Sequence, residues 1–389
     1  MKTFTRRINK VGKRGMQKWA PLWLLGLSLL AGNAKAAPPT DYIIQQQRSN
    51  ASTLAAAPHA VTEQGSAKLG TGDAGAGQGS PSRAGLPKVV LMLPTSSKLL
   101  GEAATVVQEG FLAAARTDDA LSVTLLAIDD GEAVRRYREA VADGARVVVG
   151  PLTRQAIAAV APEVSVPTLA LNALDPGIAA NPKLLSLSLT VEGEGRQLAQ
   201  MMRDDGRRSP VVLSARDAIS RRLADAFAAE WQRQGGRVPL RLELDPAEAD
   251  VAGRIGTADA ILLAAESDAA AHWRRRVSPE LAAYGASQLN VRRPDAALAG
   301  VRVIDMPWFL MPEHPAVKRY PRPDARLTHQ TERLYALGVD AYRIAVKLAA
   351  RPAAPGLALD GVTGDLRLGR DRQFERRLPV TVLEGNPAP

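Results

Sequence analysis

Five hydroxyl and amide side chains are the groups in this chain whose position best suits them to hold a small ligand. Each follows a short apolar run that we predict to be a buried strand, and they are Thr95, Ser96, Ser97, Thr153 and Asn172. Open α/β sheets bind ligands at the carboxyl ends of their strands, where hydroxyls and a helix start could hold a carboxylate. Ser, Thr and Asn also cap helices by accepting from free N–H groups. The pattern therefore predicts either a ligand cleft or a set of helix caps.

The sequence has no pattern typical of a catalytic or metal centre. Its four histidines, for which we expect surface positions, have no second histidine or acid pair at metal-ligand spacing; they are His59, His272, His314 and His329. The chain contains no cysteine, which excludes disulfides, thiolate metal sites and cysteine nucleophiles. It also lacks the G-x-S-x-G turn of serine hydrolases. We therefore predict no catalytic residue, no metal and no cofactor.

Alternating strands and helices are predicted to position the five polar side chains. The run Val89–Leu93 is apolar without interruption, as in a strand buried on both faces of a parallel sheet. Three further apolar runs follow, at Val123–Ile128, Val147–Val149 and Thr168–Leu171, with helical spacing between them. This alternation predicts right-handed βαβ crossovers and a doubly wound sheet.

The pattern then restarts, which predicts a second α/β unit. Leu185–Leu189 alternates with period 2, as in a strand with one wet face, and further buried strands are predicted at Val211–Leu213, Ala260–Ala264 and Val301–Ile304. An amphipathic helix is predicted around Leu334 to Leu348. Two lobes with a crevice between them fit this order better than one very large sheet. We place lobe 1 at about residues 87–189 and 288–355 and lobe 2 at about 190–287 and 356–389, with crossings near Leu189, Gly285–Asn290 and Pro355.

Residues 1–36 have the composition of an export signal, with eight basic residues, no acidic ones, and an apolar run of 14 residues from Trp19 to Gly32. A bilayer-spanning helix needs roughly 20 apolar residues. We therefore expect a cleaved signal peptide, cut between Ala36 and Ala37, with an uncleaved anchor or a start at Met16 as alternatives. Asn33 stands where bacterial lipidation requires a cysteine, so we expect no lipid anchor.

Residues 37–86 are rich in alanine, serine, glutamine and glycine and have no apolar period, as in a flexible linker. Within them, Gly70–Gly75 matches the dinucleotide pattern G-x-G-x-x-G, but without the flanking strand and helix that this motif needs, so we interpret it as linker. Without residues 1–36, the chain has 42 basic and 40 acidic residues, and it has only 16 aromatic residues in all. This near balance of charge and this shortage of stacking groups argue against nucleic-acid binding.

Several segments between residues 88 and 385 resemble known families. Val89–Leu93, with the loop after it and Gln108–Phe111, looks like the opening of the type I periplasmic binding proteins. More narrowly, five pieces resemble the penicillin-binding protein activator family of the LpoA/LppC type, and they are Val147–Leu152, Val166–Asn172, Ala226–Trp231, residues 333–345, and Gly361–Leu366 with Phe374–Leu378. The order and spacing of these pieces carry the resemblance.

The resemblance implies a two-lobe fold like that of the type I periplasmic binding proteins, each lobe a doubly wound, mainly parallel sheet. It also implies a non-enzymatic envelope regulator that binds and stimulates a bifunctional penicillin-binding protein, with peptidoglycan as a further partner. Family members are typically outer-membrane lipoproteins, but with Asn33 we expect a periplasmic protein that is peripheral to the outer membrane and has no stable transmembrane anchor. The alternative is a periplasmic solute-binding receptor that passes an amino acid or similar ligand to a transporter. The sequence does not identify a partner-binding surface.

Overall fold

The computed structural model of the protein describes residues 85–178, 181–323, 327–351 and 356–385. The predicted signal peptide, with Asn33, Ala36 and Ala37, lies outside these ranges, as do His59 and the predicted linker up to residue 84.

The first sheet is built from five parallel strands. They are β1 (Lys88–Leu93), β2 (Ser122–Ala127), β3 (Val147–Val149), β4 (Thr168–Ala170) and β5 (Leu184–Ser186), in the spatial order β2-β1-β3-β4-β5. Between them run the helices α1 (Gly101–Asp118), α2 (Ala133–Ala142) and α3 (Arg154–Val160). Val89, Leu91 and Leu93 enter one core cluster while Val90 and Met92 enter another. The central strand β1 is therefore buried on both faces, as its continuous apolar run predicts.

The second half of the described chain begins with another set of alternating elements. Its strands are β6 (Pro210–Ser214), β7 (Leu240–Glu243), β8 (Ala260–Ala264), β9 (Ala282–Gly285) and β10 (Arg302–Ile304). Its helices are α4 (Val191–Asp204), α5 (Ala218–Arg233), α6 (Val251–Ile255), α7 (Ser267–Arg274), α8 (Pro307–Leu310), α9 (Pro315–Lys318) and α10 (His329–Ala350). Short 3-10 turns occur at Asp130–Glu132, Ala161–Glu163, Ser287–Leu289 and Ala296–Leu298.

Four short strands end the described chain: β11 (Ala358–Asp360), β12 (Asp365–Leu368), β13 (Phe374–Arg377) and β14 (Val380–Val382). The first three form an antiparallel sheet in the order β11-β12-β13. The last joins the second sheet, whose order is β14-β10-β9-β8-β6-β7. Every pairing in this sheet is parallel except that of β14 with β10 at the edge. Each lobe is thus a doubly wound, mainly parallel sheet, as predicted.

Helix α10 packs against α1 so closely that two glycines are required at the contact. A Cβ on Gly338 would lie 2.0 Å from the carbonyl oxygen of Val107, and one on Gly110 would lie 2.0 Å from that of Tyr335. No side chain fits at either distance, so the two helix backbones touch directly. This contact fixes α10, which carries the predicted apolar stripe, onto the first lobe.

Two details of the predicted organisation are wrong. β10 pairs with β9 in the second sheet, so the chain does not return to the first lobe near Gly285–Asn290 but only after Ile304. A buried parallel strand has the same apolar pattern in either sheet, and this pattern does not say which lobe it joins. In addition, β5 has no wet face: Ser186 is fully buried, and its hydroxyl donates to the carbonyl of Asn172 at 2.6 Å.

The largest core cluster extends through both lobes. It contains Leu91 of the first sheet and Leu262 of the second, joined through residues between the sheets such as Leu187, Leu189 and Leu334. The two sheets are therefore held together by continuous apolar packing.

Candidate functional site

The structure places all five predicted ligand residues at the carboxyl edge of the first sheet. Thr95, Ser96 and Ser97 form the loop after β1, Thr153 follows β3 and Asn172 follows β4. Asn172 donates from Nδ2 to the carbonyl of Leu152 at 3.1 Å, which ties the β3 and β4 loops together.

Most of these side chains cap local backbone. Ser97 Oγ accepts from the backbone N–H groups of Leu99 and Leu100, at 3.3 and 3.2 Å, just before α1 begins. Thr153 Oγ1 accepts from Ala156 N at 3.1 Å and caps α3, and Asn172 Oδ1 accepts from Ala173 N at 2.9 Å. These bonds are those expected of helix and turn caps. A ligand-binding role for the five residues stays a prediction.

The crevice next to Asn172 is almost filled by leucines. The remaining cavity has a volume of about 20 Å³, and its apolar lining is Leu171, Leu189, Leu334 and Leu337. Arg154, Ser188, Thr190 and Arg222 complete the wall. A cavity of this size holds about one water molecule, whereas ligand pockets typically measure roughly 300–1,000 Å³. In this conformation, the crevice has no room for an amino acid.

A buried ion pair joins α10 to the carboxyl end of β10. Nη2 of Arg333 lies 2.6 Å from Oδ2 of Asp305, and the two side chains are 2% and 0% exposed. The same guanidinium nitrogen donates to the carbonyl of Ser287 at 2.7 Å. Asp305 also accepts from Asn290 Nδ2 and from the backbone N–H of Met306, both at 2.8 Å. The pair is therefore fully hydrogen-bonded, as a buried charge requires.

Two further buried carboxylates hold the chain segments that pass between the lobes. Glu194 on α4 accepts from Ser287 N at 2.9 Å and lies 3.5 Å from the guanidinium of Arg376. Burial raises the pKa of the Glu194 carboxyl, and the positive charge of Arg376 opposes this shift. Asp340 on α10 accepts from the N–H groups of Val362 and Thr363, at 3.0 and 2.8 Å. These contacts attach the three-stranded sheet to both lobes.

Sequence reasoning missed these buried charges, although α10 contained a signal for them. Arg333, Leu337, Asp340 and Ile344 are three or four residues apart and so lie on one side of the helix. Charged residues on the same stripe as buried aliphatic ones are a sign of buried ion pairs. The histidine prediction was also wrong for the described residues, because His272, His314 and His329 are all half-buried.

A much larger groove, of about 1100 Å³, lies beside the filled crevice and shares Arg154, Ser188 and Thr190 with it. Its walls are the loop 173–176, one side of α4, and the strands β12 and β13. Charged side chains of both signs line it: Arg154, Arg196, Arg302, Arg367, Arg376, Arg377, Asp175, Glu192, Glu194, Asp204, Asp205, Asp365, Asp371 and Glu375. Such a lining suits a ligand that carries both carboxylate and ammonium groups.

Across the described residues, no group of three or more His, Asp or Glu side chains is arranged to hold a metal ion. Within the same ranges, every helix is too short or too polar to cross a bilayer.

Comparison with known proteins gives a family and a set of curated relatives. The sequence profile of the family described as "LppC putative lipoprotein" matches residues 82–256 and 249–381. The chain is 26% identical over 293 residues to "Penicillin-binding protein activator LpoA" of Enterobacter sp. (strain 638), covering 61% of this chain and 40% of that protein. It is 26% identical over 307 residues to the protein of the same name from Haemophilus influenzae, covering 74% and 52%. The chain thus spans about half the length of these relatives, or less.

Solved structures share the fold. A chain from Chromobacterium violaceum, described as a "putative branched-chain amino acid ABC transporter", is 52% identical, covers 76% of this chain over its own whole length, and has a TM-score of 0.73. The C-domain of LpoA from Haemophilus influenzae, described as "a regulator of PBP1A", is 24% identical and covers 77% of this chain and 98% of its own, with a TM-score of 0.66. At that identity, the second match supports the fold alone.

Proposed function

The chain belongs to the LppC family, and from this premise we propose that it is a non-enzymatic envelope regulator that binds and stimulates a bifunctional penicillin-binding protein. The relatives named as penicillin-binding protein activators support the proposal. Peptidoglycan is the further partner we propose. With Asn33 in place of a lipidated cysteine, we place the protein in the periplasm, peripheral to the outer membrane.

The observation that carries this proposal is the filled crevice. Leu334 and Leu337 of α10 occupy the space beside Asn172, one of the five predicted cleft residues, and leave about 20 Å³. Binding with micromolar affinity needs about 8 kcal/mol from groups that converge on the ligand. The crevice beside Asn172 offers no such space, which argues against a transported solute bound by the five predicted cleft residues.

A reconstituted synthesis assay tests the proposal. Residues 87–389 should bind a bifunctional penicillin-binding protein and raise its crosslinking activity, measured from the muropeptides released by digestion. The Chromobacterium violaceum chain has the same fold and is matched over its whole length by 76% of this protein, which supports testing a fragment of about that size.

The control in the same assay is the complete mature chain with residues 40–86 replaced by a Gly/Ser segment of equal length. Stimulation should be unchanged, because effective concentration depends on linker length more than on linker sequence. A fragment 87–389 that associates with no envelope synthase, while a transporter permease is captured instead, would refute the activator role.

The second candidate is a solute-binding receptor, and the description of the 52% identical Chromobacterium violaceum chain favours it. Calorimetry of residues 87–389 with free leucine, isoleucine and valine separates the two functions. We expect no saturable heat at micromolar concentration. Saturable binding that is lost in the double variant Ser96→Ala/Asn172→Ala would establish the receptor instead.

A further inference from the structure

The strand β13 presents an open stretch of backbone to the large groove. The backbone N–H of Gly369 donates to the carbonyl of Gln373 at 2.9 Å, so these two residues form a hydrogen-bonded pair at the end of the β12–β13 ladder. In an antiparallel ladder, alternate residues bond to the same neighbour. Glu375 and Arg377 therefore bond to β12, while the backbone N–H and C=O of Arg376 point to the other side.

Both ends of this edge are closed by other parts of the chain. Ser186 N of β5 donates to Arg372 O at 3.0 Å at one end. At the other end, the carboxamide of Gln197 on α4 donates to Leu378 O at 2.6 Å and accepts from Leu378 N at 2.9 Å, just as a neighbouring strand would. Between these closures, no group in the described ranges bonds to the N–H or C=O of Arg376.

Three charged side chains in the same groove have no hydrogen bond or salt bridge within the described part of the chain. They are Arg196 on α4 and Glu375 and Arg377 on β13, and all three are exposed. The other guanidiniums of the wall are engaged, for example Arg302 with Asp205 and Arg376 with Glu194. Among the described residues, the groove thus has two unpaired guanidinium groups and one unpaired carboxylate next to the unbonded backbone N–H and C=O of Arg376.

We propose that this groove binds a short, extended peptide that carries carboxylate and ammonium groups. One residue of the peptide pairs with the backbone of Arg376 as an added strand. Its carboxylates are bound by Arg196 and Arg377, and its ammonium group by Glu375.

The closed ends of the edge select a short ligand. At roughly 3.3 Å per residue, about three residues fit between the contacts of Ser186 and Gln197. A long strand of a partner protein would collide with these closures, so a peptide of a few residues is favoured over a protein segment. The inference does not depend on the activator role, because binding is measured without a synthase.

The test is calorimetry of the full chain with the synthetic tripeptide Ala-Glu-Lys, which has two carboxylates and two ammonium groups. We expect saturable binding that weakens at least tenfold when the Glu-Lys amide of the peptide is N-methylated, because the strand pairing is then lost. This probe leaves the protein unchanged, so its effect cannot come from misfolding.

Variants of the protein test the charged contacts. Arg196→Gln and Arg377→Gln should each weaken binding at least fivefold, whereas Arg370→Gln, an exposed charge outside the groove, should change it less than twofold. Equal affinity for the N-methylated peptide, equal effects of the three variants, or no saturable binding of the tripeptide would overturn the proposal. So would binding of an unfolded polypeptide but not of the tripeptide.

A second probe distinguishes the sources of such a peptide. The stem tetrapeptide of peptidoglycan, which contains D-residues and a diamino acid, also carries both carboxylate and ammonium groups. Tighter binding of the stem peptide than of Ala-Glu-Lys supports a cell-wall source, and tighter binding of Ala-Glu-Lys supports a protein-derived peptide. In both cases, binding must remain sensitive to Arg377→Gln.

Discussion

Replacing Arg333 by methionine leaves the carboxylate of Asp305 buried without its cation. Asp305 is fully buried and, among the residues that the structure describes, would retain the donors Asn290 Nδ2 and Met306 N, both at 2.8 Å. The carbonyl of Ser287 would also lose one of its two donors and keep the backbone N–H of Asn290 at 3.1 Å. Removing one partner of a buried ion pair costs about 3–5 kcal/mol. We therefore expect Arg333→Met to lower the free energy of unfolding by about 3–5 kcal/mol.

Urea denaturation of residues 87–389, followed by tryptophan fluorescence, measures this loss. Trp231, Trp273 and Trp308 are fully buried, and the continuous core predicts one cooperative transition. The matched control is Arg138→Met. It removes a bidentate ion pair with Glu163, at 2.9 and 2.7 Å, in which the arginine side chain is 63% exposed. Exposed pairs contribute about 0–1 kcal/mol.

A double variant tests the cause of the loss. Arg333→Met/Asp305→Leu removes both charges, and buried ion pairs can often be replaced by apolar residues at little cost. We expect it to recover most of the stability that Arg333→Met loses. The reasoning is refuted if Arg333→Met loses no more than Arg138→Met, or if the double variant is as unstable as the single one.

Two further perturbations probe the packing and the pH response. Gly338→Ala should destabilise the fold by about 1–3 kcal/mol or more, because its Cβ would lie 2.0 Å from the carbonyl oxygen of Val107. In the control variant Gly193→Ala, also within a helix, the added Cβ has no neighbouring atom within 4 Å, so the free energy of unfolding should rise by up to about 1 kcal/mol. Equal urea midpoints for the two variants would contradict this expectation. Burial lowers the pKa of His329 to about 4 from its usual 6.5, so the stability it contributes is complete above pH 6.5 and is lost as the pH falls towards 4. The variant His329→Phe retains a ring that can stack on Phe309, as the imidazole does at 4.2 Å. It should therefore reduce the difference in urea midpoint between pH 7 and pH 4.5. An unchanged difference would show that His329 is not the group that causes the loss of stability.

Local patterns predicted most of the fold. The uninterrupted apolar run of β1 indicates a strand buried on both faces, and both faces enter core clusters. The apolar residues Leu334, Leu337, Ala341, Ile344 and Leu348 indicate an amphipathic helix, and all are buried in α10. These features depend only on neighbouring residues, so the sequence contains what is needed to predict them.

Contacts between distant parts of the chain could not be predicted in this way. Ser186 alternates with leucines and looks solvent-facing, yet it is buried. Its hydroxyl is satisfied there by donating to the carbonyl of Asn172. Arg333 and Asp340 share a stripe of α10 with buried aliphatic residues, which is a sign of burial, but their partners Asp305 and Thr363 belong to other segments of the chain. The spacing along α10 can indicate that a charge is buried, but only the tertiary structure identifies its partner.

The candidate site also has some features that the sequence predicted and others that it could not predict. The sequence placed the five polar residues correctly relative to their strands, because strand ends are local features. It could not show that leucines of α10, more than 150 residues further along the chain than Asn172, fill the crevice beside them. Nor could it show the groove beside β13, which depends on how α4 packs against that strand.

The continuous core has a consequence for the timescale of motion. Hinged domains whose cores are separate open and close within microseconds to milliseconds. Here, opening the lobes would pull apart the packing around Leu187 and Leu334 and break the Arg333–Asp305 pair. Such an event is local unfolding, and its rate is set by a free-energy barrier rather than by diffusion about a hinge. The two lobes should therefore keep one fixed relative arrangement on the microsecond-to-millisecond timescale.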